Sequence, residues 1–379
     1  MRIAFYAPLK PPDHPVPSGD RRIGRALIAA LRLAGHEVAL ASRLRSWDGA
    51  GDAARQRRIA RSGARRAAGL LARYRAQPRL KPDLWLTYHL YHKAPDWLGP
   101  SVAAALAIPY VVVEGSLAAK RREGPWAAGY EAARAALMRA DALINLNGDD
   151  REGLLAVLGQ GAPCIRLAPF IETAPFARAL QDRAGLAARN GLEAARPWLL
   201  TVAMMREGAK AASYRVLADA LARLGDLPWQ LLLVGDGPAR RQLEALFRPL
   251  GEERVRFLGE LPAAALPPVY RSADLYLWPA IHEAFGMAFL EAGAAGLAVV
   301  AGRERGVPEV VHDGESGVLT PPGDAAAFAA AVRNLLGDAE RRAALGRRGC
   351  EIVTREHDIA SAAARLDAIL RRVLAEHRA

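Results

Sequence analysis

The chain has 379 residues and a formal net charge of +12, from 52 lysines and arginines against 40 aspartates and glutamates. A chain of this length has more residues than most domains built on a single hydrophobic core, which favours two domains of about 150–200 residues. The excess of cations favours anionic partners, such as phosphorylated ligands or an anionic membrane surface. No apolar run in the sequence approaches the roughly 18–20 residues of a membrane span, so no transmembrane helix is predicted.

The N-terminal stretch and the two cysteines indicate the cellular compartment in which the protein works. The stretch MRIAFYAPLKPP is a short apolar run ended by prolines, which predicts a first strand rather than a signal peptide. Cys164 and Cys350 lie outside any CxxC or Cys/His cluster, so two reduced thiols are expected and no zinc site is indicated. We expect a cytoplasmic protein, with peripheral binding at the inner face of the cell membrane as a further hypothesis.

Short apolar, β-rich segments alternate with alanine-rich helical patterns along the chain. The first are a strand at 2–7 and a helix near 19–34. The other predicted strands lie at 36–42, 83–89, 108–115, 141–147, 197–205, 229–237, 255–261, 273–280, 297–302 and 317–324. Strands that alternate with helices are typical of parallel α/β sheets covered on both faces. The sequence therefore predicts two Rossmann-like domains whose sheets face a central cleft, with the boundary inside 172–196.

Segment 43–75 differs from the rest, because it carries ten arginines and two aspartates. Apolar residues within it, among them Ile59, Leu70 and Tyr74, predict an arginine-rich helix with a thin apolar face. One interpretation is docking on anionic lipid headgroups or on an anionic acceptor. The other is a solvated helix that packs by its apolar face. Nucleic acid is not expected as a partner, because aromatic residues are sparse and no recognition motif is present.

The stretch HEAFGMAFLEAGAAG, residues 282–296, carries two glutamates eight positions apart, Glu283 and Glu291. Its pattern predicts a loop followed by a helix, with Gly286 at the turn, where free backbone N–H groups could bind a diphosphate. Glu283 could then reach a bound sugar, and Glu291, about two turns on, could accept two ribose hydroxyls. Alternatively, Glu283 caps the helix and Glu291 is a solvated helix residue.

Two further stretches follow predicted strands of the second domain. Arg206 and Lys210, four positions apart, could neutralise a diphosphate and stabilise its charge as it leaves. Segment 305–324, RGVPEVVHDGESGVLTPPGD, alternates glycines, a proline and acids, as a ligand-facing loop would. Each stretch could also be ordinary surface or turn chemistry.

Together these stretches resemble the retaining nucleotide-sugar glycosyltransferases of family 4, which have the GT-B architecture. The resemblance rests on EAFGMAFLE (the E-x7-E motif), GVPEVVHDGESGVLTPPGD, LLLVGDGP and the Arg206/Lys210 pair, in the family's order. It covers roughly 197–355, while the first half matches mainly in its alternation of strands and helices. The parts that it implies are an acceptor domain at 1–180, a donor domain at 190–358 and a final helix at 359–379 that crosses back to the first domain.

The resemblance implies a donor site in the second domain. Glu291 would hold the ribose hydroxyls, and Glu283 would contact the donor sugar. Arg206 and Lys210 would bind the diphosphate. The other donor-binding positions that it implies are Phe285, Gly286, Met287, Leu258 and Gly259. The co-substrate would be a UDP-, GDP- or ADP-sugar, with no further cofactor and no metal, because two cations and a helix dipole can neutralise the diphosphate.

The first domain departs from the family in two places. The family often has two adjacent glycines after the first strand, whereas here Gly19 precedes Asp20. Close approach of the diphosphate to the backbone at Gly19 is still expected. Many relatives place a histidine after the strand that matches 108–115, where this chain has Glu114. We assign Glu114 to the acceptor side.

Other polar residues of the first domain could serve the acceptor. His89 and His92, one strand earlier, could orient a sugar hydroxyl or help an acceptor lose its proton, or could be structural histidines. We place His89 among the candidate catalytic residues and His92 on the acceptor side. Lys120 could meet an anionic acceptor or face water.

The resemblance implies transfer of a sugar, with retention, to the hydroxyl of a glycolipid, lipopolysaccharide precursor or polysaccharide. The acceptor would attack on the face from which the diphosphate leaves, and a diphosphate oxygen would take its proton. The alternatives are a non-catalytic nucleotide-sugar-binding protein, a nucleotide-sugar epimerase, and a glycoside hydrolase that uses the two glutamates as acid and nucleophile.

Overall fold

The structure, a computed structural model, describes residues 1–16 and 18–378. The chain forms two compact units, which we call unit 1 (Met1–Ala168 with Ile359–Ala379) and unit 2 (Pro169–Asp358). Each unit contains one six-stranded sheet in which every pair of neighbouring strands is parallel. The predicted α/β class with two Rossmann-like domains is confirmed.

The strands of unit 1 are β1 (Arg2–Tyr6), β2 (Glu37–Ser42), β3 (Leu84–Leu90), β4 (Tyr110–Gly115), β5 (Ala142–Asn145) and β6 (Cys164–Arg166). Those of unit 2 are β7 (Trp198–Val202), β8 (Gln230–Val234), β9 (Val255–Gly259), β10 (Leu275–Trp278), β11 (Val299–Gly302) and β12 (Gly317–Thr320).

The α-helices of unit 1 are α1 (Gly19–Leu33), α2 (Ala53–Ala76), α3 (Gly99–Leu106), α4 (Ala127–Arg139), α5 (Gly148–Leu158) and, at the C-terminus, α14 (Ile359–Arg378). Those of unit 2 are α6 (Ala174–Arg178), α7 (Arg183–Asn190), α8 (Ala209–Ala222), α9 (Arg240–Phe247), α10 (Leu266–Ser272), α11 (Met287–Ala294), α12 (Ala325–Gly337) and α13 (Ala339–Glu356). Short 3-10 helices lie at Pro78–Leu80, Ala119–Arg121, Arg248–Leu250, Ala263–Ala265 and Val307–Glu309.

The strand order shows where each sheet has the crevice in which α/β sheets bind ligands. It is β2-β1-β3-β4-β5-β6 in unit 1 and β12-β11-β10-β7-β8-β9 in unit 2. The order therefore reverses between β1 and β3 in unit 1, and between β7 and β10 in unit 2. The connections after these strands leave in opposite directions, and the crevice that they open at the carboxyl ends is where α/β sheets bind ligands.

The central strands contain continuous apolar runs because both faces of each sheet are covered by helices. In β4, Tyr110–Val113 have no exposed surface, and the same holds for Trp198–Leu200 in β7. This is why the sequence showed short continuous apolar runs. β6 was not predicted, because it is a three-residue edge strand whose side chains are only half-buried.

The unit boundary falls between Ala168 and Pro169, before the expected range of 172–196. The segment after it packs on unit 2, where the ring of Phe176 lies 5.6 Å from that of Tyr270. Both ends of unit 2 meet in a short parallel bridge between Ile171 and Asp358. The N–H of Ile171 donates to the carbonyl of His357 at 2.9 Å, and Nδ1 of His357 lies 2.6 Å from the carbonyl oxygen of Pro169.

The C-terminal helix α14 belongs to unit 1, where it packs against α1. Leu366 and Leu370 on its inner face have no exposed surface. On the same helix, the carboxylate of Asp367 lies 3.1 Å from Nε2 of the buried His36. The final helix therefore completes unit 1, although nearly two hundred residues of unit 2 precede it.

The arginine-rich segment forms the long helix α2, which is capped by the side chain of Asp52. Its apolar side packs on unit 1, where Ala67 and Tyr74 are buried in the core. Its eight arginines are all exposed: Arg55, Arg57, Arg58, Arg61, Arg65, Arg66, Arg73 and Arg75. Within 1–16 and 18–378, no helix has both the length and the apolar character needed to cross a membrane.

Candidate functional site

Two of the predicted catalytic residues meet at the point in unit 2 where the strand order reverses. Lys210, in the first turn of α8 after β7, donates to Oε2 of Glu283, which lies in the loop after β10. The same oxygen accepts from the indole Nε1 of Trp278 at 3.1 Å, and the Lys210 ammonium lies 5.1 Å from the Trp278 ring centroid. Trp278 was not among the predicted site residues.

The loop that carries Glu283 is held in a constrained shape. Ala280 and His282 adopt left-handed φ values of 61° and 54°, which are uncommon for residues other than glycine. The N–H of Glu283 donates to the carbonyl of Ala280 at 2.9 Å, and the N–H of Ile281 donates to Ser213 Oγ at 2.9 Å. Because Ser213 lies on α8, the hydrogen bond ties this loop to the helix that carries Lys210.

The connection that carries Lys210 suits an anionic ligand. An ammonium group in the first turn of a helix opposes the positive end of the helix dipole, and Glu283 offsets that repulsion. The two side chains keep 27% and 18% of their surface exposed, so a ligand can reach both. Arg206 is exposed in the same connection, and no carboxylate forms an ion pair with it within 1–16 and 18–378. Its charge is available to a diphosphate.

The start of α11 offers backbone N–H groups. Its N-cap residue is Gly286, with φ of 71°, and no side chain caps the helix. A Cβ at this position would lie 2.7 Å from the ring of Phe289, so only glycine fits. The N–H groups of Met287 and Ala288 are therefore left for an anion, while the N–H of Phe289 donates to the carbonyl of Gly286 at 3.0 Å. Phe285, just before the turn, is buried and anchors the loop.

Segment 305–324 joins the same loop. The N–H of Gly306 donates to the carbonyl of Ala284 at 3.0 Å, one residue after Glu283. The predicted ligand-facing loop therefore contacts the loop that carries the first glutamate of the motif.

Glu291 occupies a different environment from the one predicted for a solvated helix residue. Its side chain has no exposed surface, and its Oε2 accepts from the hydroxyl of Tyr270 at 2.7 Å. A nucleotide could reach this carboxylate only after its neighbours move. The ribose contact of Glu291 stays a prediction.

The turns after β7, β8 and β9 are joined by backbone hydrogen bonds. The N–H of Gly235 donates to the carbonyl of Gly259 at 2.8 Å, and the N–H of Met205 donates to that of Asp236 at 2.9 Å. Leu258 and Gly259 thus end a strand whose turn supports the connection that carries Arg206. Their role in donor binding stays a prediction.

A second ion pair lies at the point in unit 1 where the strand order reverses. Nδ1 of His89, at the end of β3, is 2.7 Å from Oδ1 of Asp20, in the first turn of α1. Burial lowers the pKa of His89, but the hydrogen bond and charge of Asp20, with Glu114 and Asp150, outweigh burial and raise that pKa above its ordinary value. Asp20 follows Gly19 directly, so the departure from the family's glycine pair supplies the partner of the candidate catalytic histidine.

Glu114 ends the neighbouring strand β4 in a left-handed conformation, with φ of 58°. Its Oε1 accepts from the N–H of Leu146 at 3.0 Å. Burial and the nearby charge of Asp150 raise the pKa of Glu114 to about 7, against the opposing effect of His89. This carboxyl group can therefore donate or accept a hydrogen bond near neutral pH.

His92 and Lys120 do not join the His89 ion pair. The ring of His92 lies 6.1 Å from that of Trp126, and burial, then the charges of Arg121 and Lys93, lower the pKa of His92 to about 4. Lys120 is exposed in the short helix Ala119–Arg121. Neither observation assigns these residues to an acceptor, and both assignments stay predictions.

Comparison with known proteins gives the family of the second unit. Residues 196–338 match the family described as "Glycosyl transferases group 1". The D-inositol 3-phosphate glycosyltransferase of Corynebacterium kroppenstedtii is 37% identical over 147 residues, which are 37% of this chain and 33% of that protein. The GDP-mannose-dependent alpha-(1-6)-phosphatidylinositol monomannoside mannosyltransferase of Mycolicibacterium smegmatis is 33% identical over 228 residues, which are 56% of this chain and 59% of that protein.

Comparison with solved structures covers both units. The crystal structure of Anabaena HepE in complex with UDP aligns with a TM-score of 0.75 over 98% of this chain and 100% of that chain, at 18% sequence identity. At this identity the similarity shows the fold alone. The chain therefore has the GT-B fold and contains, at residues 196–338, a domain of the glycosyl transferases group 1 family.

Proposed function

We propose that the protein is a retaining hexosyltransferase that moves a sugar from a nucleoside diphosphate sugar to an acceptor hydroxyl. The observation that carries this proposal is the group of Lys210, Glu283 and Trp278 beside the uncapped start of α11. The group lies inside the glycosyl transferases group 1 domain and combines a cation, a partly exposed carboxylate and free backbone donors.

The proposed reaction needs no nucleophile from the protein. The acceptor oxygen bonds to the anomeric carbon on the face from which the diphosphate leaves, while the bond from that carbon to the diphosphate oxygen breaks. A diphosphate oxygen takes the acceptor's proton. Arg206, Lys210 and the first N–H groups of α11 stabilise the charge that grows on the diphosphate. Glu283 holds Lys210 and a sugar hydroxyl, and we propose that no metal is needed.

The relatives and the structural neighbour support the choice of donor class. One relative is named as GDP-mannose-dependent, and HepE was solved with UDP. We propose a UDP-, GDP- or ADP-sugar as donor. Both relatives act on inositol-containing acceptors by name, and one acceptor is a lipid. We propose that the acceptor here is a glycolipid or saccharide of the cell envelope, and that the protein acts in the cytoplasm.

A transfer assay tests this function. Purified protein is incubated with each of the three nucleotide sugars and with extracted cell lipids and oligosaccharides, and nucleoside diphosphate release and glycosylated product are measured. The expected result is release that depends on one donor and on the acceptor, with the donor's anomeric configuration kept in the product and full activity in EDTA. Binding of a nucleotide sugar without turnover would instead indicate a non-catalytic binding protein. An isomeric nucleotide sugar formed without acceptor would indicate an epimerase.

We also propose that α2 binds an anionic membrane by charge. Its eight arginines are exposed, while its apolar side is used inside unit 1, so the helix would lie against the headgroups without inserting. Each cation close to an anionic surface contributes about 1 kcal/mol. A lipid-linked acceptor would then be presented to a protein already held at its surface.

A further inference from the structure

A second charged surface in unit 1 lies outside the His89 ion pair. The Lys93 ammonium is 4.6 Å from the ring centroid of Trp126, and the Arg121 guanidinium carbon is 4.9 Å from the same centroid. We call Lys93, Arg121 and Trp126 the Trp126 cation cluster. Its residues belong to the connections after β3 and β4, so the cluster lies at the carboxyl edge of the sheet, where ligands bind.

The cluster is held in place by hydrogen bonds between three connections. The indole N–H of Trp126 donates to the carbonyl of Asp48 at 3.1 Å, and the N–H of Asp48 donates to the carbonyl of Lys93 at 2.8 Å. The side-chain amide of Gln56 donates to the Asp48 carboxylate at 2.8 Å and to the carbonyl of Pro125 at 2.9 Å. The indole ring of Trp126 and the backbone at Lys93 are therefore held in place before any ligand arrives.

The charges of the cluster are not neutralised by the protein. Among the described residues, 1–16 and 18–378, no carboxylate forms an ion pair with Lys93 or Arg121. The Asp48 carboxylate accepts from Gln56 and from the N–H of Ala50 instead. The lowered pKa of His92, after burial, comes from Arg121 and Lys93. The two cations, which lack an ion-pair partner in 1–16 and 18–378, would favour an anionic ligand.

The cluster is continuous with the candidate catalytic histidine. The ring of His89 lies 5.4 Å from that of Tyr91, Tyr91 lies 5.2 Å from His92, and His92 lies 6.1 Å from Trp126. Four rings therefore connect the His89–Asp20 ion pair with the cations. Aromatic faces of this kind pack against the apolar faces of sugar and polyol rings.

We propose that the Trp126 cation cluster binds a phosphate group of the acceptor, while the acceptor's reactive hydroxyl lies towards His89. Lys93 and Arg121 would make charge-assisted hydrogen bonds to the phosphate oxygens, and the ring of the acceptor would lie along Tyr91 and His92. This inference rests on the proposed function, because it takes the ligand of unit 1 to be the acceptor. It narrows the acceptor to molecules that carry a phosphate in addition to the hydroxyl that receives the sugar.

The phosphate could belong to a free sugar phosphate or to a lipid headgroup, and two probes separate these sources. One is glucose 6-phosphate, compared with glucose. The other is dihexanoyl phosphatidylglycerol below its micelle concentration. Binding is followed by NMR of the Trp126 indole N–H, identified with Trp126→Phe, and of the His92 ring. The expected result is a shift of the indole signal and a rise in the pKa of His92 with at least one phosphate probe, and neither change with glucose.

Variants tie the binding to the cluster. Lys93→Gln with Arg121→Gln should weaken binding of the effective probe at least tenfold, whereas Arg121→Lys should keep most of it. Arg341→Gln with Arg347→Gln, which removes two exposed cations of unit 2, is the control with the same change of charge. Melting temperature and the other indole signals check that each variant folds.

Binding of either probe that depends on the cluster supports the inference and identifies the source of the phosphate. No binding of either probe, or equal affinity in the cluster variant and the control variant, overturns it. These measurements use no nucleotide sugar and no turnover. A protein that binds phosphate at the cluster but transfers no sugar would therefore contradict the proposed function and leave this site standing.

Discussion

His89 and Lys210 each lie against a carboxylate at the point where the strand order of their unit reverses. The sequence indicated both cations and Glu283, because their spacing after predicted strands and the E-x7-E motif are visible in one dimension. It did not indicate Trp278 or Asp20 as site residues, because their roles depend on which connections meet in space. The burial of Glu291 could not be foreseen either, since its partner Tyr270 comes from another helix.

Lys210→Met removes the ammonium group that, in the proposed reaction, stabilises the negative charge of the diphosphate. Loss of one such electrostatic stabiliser typically lowers turnover by about 100-fold or more. We expect a loss of that size in kcat, with the melting temperature nearly unchanged, because the side chain is only half-buried. Arg215→Met on the same helix, an exposed arginine, is the control and should keep wild-type turnover. Wild-type kcat in Lys210→Met would contradict the assignment.

Glu114 makes the stability of unit 1 depend on pH. The pKa of this residue is about 7 in the folded protein, raised from 4.5, because burial and Asp150 disfavour the charged form. Between these values the folded state holds a proton that the unfolded state releases, so stability falls as the pH rises towards 7 and then levels off. Glu114→Gln removes this dependence and should gain on the wild type by up to about 3 kcal/mol between pH 4 and pH 8.

Urea unfolding at pH 4.5 and pH 8 measures this difference. Glu123→Gln, at an exposed position of unit 1, is the control and should follow the wild type at both values. If Glu114→Gln and the wild type differ by the same free energy at both pH values, Glu114 does not titrate as described.

At the level of elements, α2 shows what a sequence pattern leaves open, because both docking on lipid and packing by the apolar face fitted the sequence. The sequence predicted an arginine-rich helix with an apolar face, and the helix is present at Ala53–Ala76. The apolar face is buried against unit 1, where Gly63 lies directly on Trp97. Sequence periodicity marks which residues avoid water, but it does not say whether protein or lipid covers them. β6 was not predicted either, because a short, half-buried edge strand lacks the continuous apolar run that marks a buried strand in the sequence.

The membrane role of α2 can be tested by charge reversal. Arg61→Glu with Arg65→Glu should reduce binding to vesicles of phosphatidylglycerol and phosphatidylcholine by about 10-fold or more, since four units of charge change at the surface. Cosedimentation measures the bound fraction, and the loss should shrink as salt is added. Arg341→Glu with Arg347→Glu, on α13 of unit 2, is the matched control. Equal binding of both variants would show that net charge alone attracts the lipid.

For the molecule as a whole, the alternation of strands and helices was enough to predict two α/β units, and the structure has them. The boundary was harder to place, because 169–178 contains two prolines and leads into a stretch rich in small and polar residues, yet it packs on unit 2 through residues such as Phe176. A linker and a docked segment have the same composition when few residues make the contact. The family resemblance implied that the last helix crosses back to the first domain. The sequence of the helix alone does not show which unit it packs against.

The position of α14 predicts which unit is destabilised when the packing of this helix is disrupted. Leu366 has no exposed surface, so Leu366→Ala should cost about 2–5 kcal/mol. Hydrogen exchange should then quicken in β1 and α1 of unit 1 and stay unchanged in the sheet of unit 2. Arg365→Ala, at the exposed neighbouring position, should change neither. Faster exchange throughout both sheets would show that the two units unfold as one.

The hydrogen bond from Ile171 to His357 and the bridge between Ile171 and Asp358 have a topological consequence. Unit 2 begins and ends at the same place, so it is connected as an insertion whose host is an otherwise complete α/β domain. Domains with adjacent ends are the ones that tolerate excision and circular permutation. Residues 169–358 could therefore be produced as a separate domain, and joining 168 to 359 by a short linker would restore the chain of the host.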